Sequence, residues 1–139
     1  MTEEDKELLL RDLSARLPYG VRVFVSGDDF DNYQYPYLLT AISKFGQDSF
    51  CKIYSPIYTP LGCPDIENVK PYLRSMSSMT EEEQRTLDSM CNGVEMVSRL
   101  SGLKMFDKAF NWLKENHFDY SGLIEKGLAI DATGLNIYC

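Results

Sequence analysis

Leu17-Pro18-Tyr19-Gly20-Val21-Arg22-Val23-Phe24-Val25-Ser26 is the stretch in which this 139-residue chain changes its hydrophobic period. Upstream of it, Leu9, Leu10, Leu13 and Leu17 recur at helical spacing, which predicts a helix over 3–17. Thr2 stands at the cap position with Asp5 three residues on, an acidic capping box. Glu3, Glu4 and Asp5 open the helix and Arg11 and Arg16 follow, as the helix dipole favours. Pro18 then ends it. Inside the stretch Val21, Val23 and Val25 alternate with Arg22, Phe24 and Ser26, the two-residue repeat of a half-buried strand.

Downstream the strand pattern continues to about residue 75. Gly27-Asp28-Asp29 and Asp31-Asn32 supply turn chemistry for a hairpin loop. A second strand is expected over 35–44, with Pro36 near its start or on an edge, and a third over 50–58 after a turn at Gly46-Gln47-Asp48. Pro60, Gly62 and Pro64 predict an ordered loop over 59–65. A last strand is expected over 66–75, where Pro71 argues for an edge or a bulge.

Helical spacing then returns over 80–126. Thr80 and Glu83 form a second capping box, followed by Leu87, Met90, Cys91 and Val94, with a stop or kink at Asn92-Gly93. A further helix over 104–116 is expected to bury Phe106, Ala109, Phe110 and Leu113. Asp119 can cap a turn over 120–126 that Gly127 closes, and 128–130 and 135–138 are candidate short strands. The class is α+β: an N-terminal helix, a small curved antiparallel sheet or partial barrel, then C-terminal helices, in one domain spanning 1–139.

Composition narrows function by exclusion. Acids outnumber bases 21 to 14 for a formal charge of −7, shared by both halves of the chain. No uncharged run approaches the roughly 20 residues of a membrane span, and the acidic start is unlike a signal peptide, so a cytoplasmic location is expected. Cys51, Cys63, Cys91 and Cys139 contain no C-x-x-C pair and are expected as reduced, mostly buried thiols. With a single histidine, the spacing matches no metal-site pattern, so neither metal nor cofactor is expected.

The remaining chemistry is sparse. His117 is the one imidazole, and any Ser–His or Cys–His mechanism would run through it, with Asp119 as a potential orienting carboxylate. It also follows Asn116 at an expected helix end, where a histidine suits free carbonyls and the dipole; that structural role is the favoured one. Asp28, Asp29 and Asp31 fail as a calcium loop, because Tyr33 and Gln34 stand at the fifth and sixth positions. Gly122 and Gly127 have the outer spacing of a phosphate loop, but Leu128 and Ala129 replace its Lys and Ser/Thr. Tyr33, Tyr35 and Tyr37 alternate, so a strand would project all three rings from one face. Together with Trp112, which lies off the expected buried stripe, they are the candidate binding residues, against the alternative that they pack in the core.

Several phrases carry a family likeness: Leu17-Pro18-Tyr19-Gly20-Val21, Lys70-Pro71-Tyr72-Leu73-Arg74, Ser77-Ser78-Met79-Thr80-Glu81-Glu82-Glu83, and His117-Phe118-Asp119-Tyr120 through Ala129. With the acidic first helix they resemble a family of small uncharacterised proteins from gut Bacteroidales and their bacteriophages. The likeness covers both ends and the junction near 70–83, and not 27–65 or 94–105. It implies a context of phages or mobile elements and transfers no activity. In layout the chain is also similar to SH3-like and Sm-like small barrels. The resulting expectation is a non-catalytic interaction or accessory protein with an unidentified protein partner or self-association. An acidic mimic of nucleic acid and single-strand binding by the small barrel are the alternatives. Only seven bases lie in each half and none in Tyr33–Tyr37, which weighs against nucleic acid.

Overall fold

In the computed structural model the backbone is described for residues 1–26, 36–45, 48–54, 60–62, 64–91 and 99–138, and side chains for 1–26, 36–43, 64–91 and 104–138. The Thr2 box forms as the sequence predicts: Asp5 N donates to Thr2 Oγ1 at 3.1 Å and Thr2 N to Asp5 Oδ2 at 3.2 Å. Helix α1 runs Glu3–Arg16 and tightens into a 3-10 turn over Leu17–Tyr19 that contains Pro18. Gly20 then takes a left-handed conformation (φ 70°), which costs glycine little and swings the chain into the sheet.

The strands are β1 (Arg22–Val25), β2 (Tyr37–Phe45), β3 (Asp48–Tyr54), β4 (Pro60–Gly62), β5 (Val69–Leu73) and β6 (Ile130–Asp131). They form one open sheet in the order β4-β3-β2-β1-β5-β6. Neighbours are antiparallel except β5 and β6, which are parallel. The fold is therefore α+β with a mixed sheet that does not close into a barrel, where an all-antiparallel sheet was expected. Two local expectations also change. Pro60–Gly62 pairs as β4 inside the segment read as loop, and Ile66–Asn68 is a 3-10 turn preceding a shorter β5. The hairpin loop over 27–32, the turn at 46–47 and the helix stop at Asn92-Gly93 lie outside the described residues.

The core sits on one face of β1, β2 and β5. Val21, Val23 and Val25, Tyr37 and Leu39, and Val69 and Leu73 are buried there beneath Leu9 and Leu13 of α1. A register shift between Leu39 and Ala41 moves the inward series from odd to even residues, so that Ile42 reaches the core edge. Ile66, Leu123, Leu128 and Ala129 close the cluster.

Pro71 lies in an interior strand, between β1 and β6, not at an edge. Ser26 N donates to Asn68 O at 2.8 Å, and pair alternation then makes Val23 and Pro71 a pair without ladder bonds. The missing N–H is therefore not needed by β1, and the pairing with β6 starts one residue later, at Tyr72 and Leu73. The next ladder position is Arg22 opposite Tyr72, and there the hydroxyl of Tyr138 is inserted. It accepts from Arg22 N at 3.0 Å and donates to Tyr72 O at 2.6 Å. Residues 135–138, expected as a strand, instead turn and deliver this side chain. Tyr138→Phe leaves both main-chain groups without that partner and should cost about 1–3 kcal/mol. Thermal unfolding of the variant measures it, and an unchanged midpoint would mean that the strands close over the gap.

Helix α2 (Glu81–Cys91) starts at the second box, with Thr80 N donating to Glu83 Oε1 at 3.0 Å and Glu83 N to Thr80 Oγ1 at 3.1 Å. Arg74 grips the same carboxylate through both terminal nitrogens at 2.9 and 2.8 Å. That guanidinium holds the Glu83 carboxyl down to about 2. Helix α3 (Arg99–Glu115) packs on α2 and ends in a Schellman motif. Phe118 N donates to Leu113 O and His117 N to Lys114 O, with His117 left-handed at φ 60°. A similar pair from Leu128 N to Leu123 O and Gly127 N to Ile124 O closes the expected turn at Gly127 (φ 72°).

Candidate functional site

The α3 stripe does not bury as its spacing suggests. Ala109 and Leu113 are inward, whereas Phe106 and Phe110 are each 46% exposed. On a 3.6-residue helix Phe106, Phe110 and Lys114 form a row turned away from the buried face. Periodicity is satisfied by the narrower Ala109–Leu113 seam, with Trp112 half-buried beside it and stacked on Phe118 at 5.7 Å between centroids. Trp112 is thus tied to Phe118, which is itself fully buried.

Between α1 and α3 lies an open groove of about 300 Å³. Leu8, Arg11, Asp12 and Ala15 form the α1 wall, Asp107, Phe110 and Lys114 the α3 wall, with Tyr120 and Ser121 at its end. Phe110 meets Tyr120 edge to face at 5.6 Å. Behind Tyr120 sits Arg16, with its Cζ 4.6 Å from the ring centroid.

The floor is fixed by a buried ionic network. Leu9, Asp12, Leu13 and Arg16 share one helical face, at i, i+3, i+4 and i+7, and all four are buried. Arg16 Nε donates to Asp12 Oδ2 at 2.6 Å and its Nη2 to Asp12 Oδ1 at 3.3 Å and Phe118 O at 2.7 Å. Ser121 Oγ donates to Asp12 Oδ1 at 2.9 Å. One guanidinium so joins α1 to the chain that follows α3. This pair was missed from sequence, although its signal was present: a carboxylate and an arginine four residues apart on the same face as Leu9 and Leu13.

The residues singled out for chemistry do not meet. His117 is buried, its ring stacked on Tyr138 at 3.4 Å and 8°, and its Nδ1 has no hydrogen-bond partner among the described residues. Burial, and the charges of Arg16, Arg74 and Arg22, push its pKa down to about 4, so this helix-end histidine is neutral, not the dipole-paired cation expected. The Asp119 carboxylate accepts from Leu123 N at 2.9 Å and Ile124 N at 3.0 Å, which uses it as the expected turn cap and not as a partner of His117. Burial raises the Tyr138 hydroxyl to about 12. Tyr37 is 1% exposed and belongs to the core, so its ring takes no part in an outward aromatic face; Tyr33 and Tyr35 lie outside the described residues, as does the Asp28–Asp31 cluster. Cys91 is a free thiol and is exposed, while the side chains of Cys51, Cys63 and Cys139 lie outside the described residues. Among the described residues no three His, Cys, Asp or Glu side chains converge as a metal would require, and no helix is long and apolar enough to cross a membrane.

A second depression of about 310 Å³ is lined by Arg74, Ser78, Ala132, Thr133 and their neighbours up to Tyr138. Its cation is already paired with Glu83. No known protein family, curated protein or solved structure matches this chain.

Proposed function

We propose that this protein is a non-catalytic interaction or accessory factor that binds a partner protein through the α1–α3 groove and the adjoining Phe106–Phe110 row. The observation that carries the reading is the exposure of two phenylalanines one helical turn apart beside an open groove. Large aromatic side chains at a rimmed depression are the usual anchors of protein interfaces. The sheet acts as a scaffold, similar in layout to SH3-like and Sm-like proteins though open at β4 and β6, and the binding surface belongs to the helices. The sequence likeness supplies the setting: a phage or mobile element inside a bacterial cell.

A photo-crosslinking amino acid placed at position 106, in cells expressing the full chain, tests this. One discrete protein adduct is expected from position 106 and none from the exposed position 125. Smeared or absent adducts from position 106 would remove the reading.

A further inference from the structure

We propose that the α1–α3 groove takes a short acidic segment of a partner protein. One bulky apolar side chain of that segment seats against Phe110 and Tyr120, and a flanking carboxylate lies between Arg11 and Lys114. The inference rests on the protein-binding reading above and specifies the chemistry of the partner.

Charge decides the class. The chain carries −7 overall, α1 has five acids to three bases and α2 four to one. Helix α3 reverses this, with four bases to two acids. The groove itself is lined by one acid and one base from each helix, Asp12 and Arg11 of α1 and Asp107 and Lys114 of α3. Asp12 is already neutralised by Arg16, which leaves the two cations Arg11 and Lys114 against the single carboxylate of Asp107, a balance of one positive charge. Arg11 and Lys114, one on each wall, form no ion pair among the described residues. Fields from the distant acids decay over about 8 Å in physiological salt, so a docked segment senses these two cations before the net charge.

Shape decides the size. A volume of about 300 Å³ is at the lower limit of small-molecule pockets, and its openness to solvent on one side suits a side chain carried on a peptide. Phe110 and Tyr120, held edge to face and backed by the Arg16 guanidinium, give that side chain an ordered aromatic wall. Helix-in-groove recognition uses this division: an apolar anchor for affinity and rim charges for register and selectivity.

The experiment is selection of a displayed random-peptide library on the immobilised full chain. Enriched peptides are expected to combine a bulky apolar residue with nearby Asp or Glu. Phe110→Ser should weaken a selected peptide about tenfold or more, equivalent to losing one interface anchor. Arg11→Glu with Lys114→Glu should turn the preference from acidic to basic peptides. Circular dichroism of both variants checks that they remain folded, and Phe106→Ser, one turn outside the groove, gives a milder loss. Enrichment of basic or purely polar peptides, or binding indifferent to both groove variants, would overturn the acidic-segment inference while leaving a protein-binding role elsewhere on the surface. No enrichment, together with no adduct from position 106, would remove both.

Discussion

Asp12→Ala is expected to destabilise the protein by about 3–5 kcal/mol, the largest effect of any single substitution considered. The reason is the state in which it leaves Arg16. That side chain is fully buried, its Nη1 already has no partner among the described residues, and its Nε would lose its only acceptor. Phe118 O would remain as the single acceptor for a cation out of water. The double change Asp12→Leu with Arg16→Met should recover much of the loss, because the desolvation penalty leaves with the charges. It should not recover the link to Phe118, so the 117–121 segment would exchange its amide hydrogens faster than in the parent. Urea unfolding of the parent, both single variants and the double variant measures the coupling. A loss below about 1 kcal/mol for Asp12→Ala would mean that water reaches Arg16 in solution.

That expectation comes from tertiary structure, and it marks where the sequence stops being readable. Both capping boxes, the Pro18 stop, the alternating valines and the Gly127 closure are local: each needs only residues within about five positions of one another. Their physics is complete in the sequence, and they form as expected. The Asp12–Arg16 pair is half-legible. Its spacing is visible, but nothing local says that the face is covered by Phe118 and Ser121, more than a hundred residues away. The hydroxyl of Tyr138 between Arg22 and Tyr72 is not legible at all, since no pattern links one tyrosine to a ladder position 116 residues earlier. Pro71 misleads for a related reason. A proline excludes one hydrogen bond, and whether a strand is interior depends on which side that bond would face.

The candidate site follows the same division. Helical periodicity places Phe106, Ala109, Phe110 and Leu113 within one broad arc, but the arc that buries is set by tertiary packing, in which α3 meets α2 and α1. Ala109 and Leu113 fall inside it and the two rings do not. The aromatic residues with a conspicuous sequence pattern include Tyr37, which is in the core, while the exposed pair was read as core. Spacing identifies a face and leaves its occupant to tertiary packing.

Lowering the pH from 7.5 to 5 is expected to remove about 2 kcal/mol of stability through His117 alone. Its ordinary value is 6.5 and the folded value about 4. Burial disfavours the imidazolium first, and Arg16 of α1, Arg22 of β1 and Arg74 after β5 add repulsion, while the ring faces the neutral Tyr138 hydroxyl side chain. A folded pKa below the unfolded one means that the unfolded chain binds the proton more readily. The contribution is therefore complete above 6.5, declines as the pH falls, and is lost near 4, for a total of about 3 kcal/mol. The window is clean because His117 is the only histidine. The lowered carboxyl of Glu83, near 2, acts in the same direction but below about 4.5. His117→Asn keeps a side chain that tolerates the left-handed backbone and removes the titration. Urea unfolding at several pH values should show the parent's slope between 6.5 and 4.5, and a flat profile for the variant. A parent profile as flat as the variant's would place the imidazole in water, with Tyr138 no longer stacked over it.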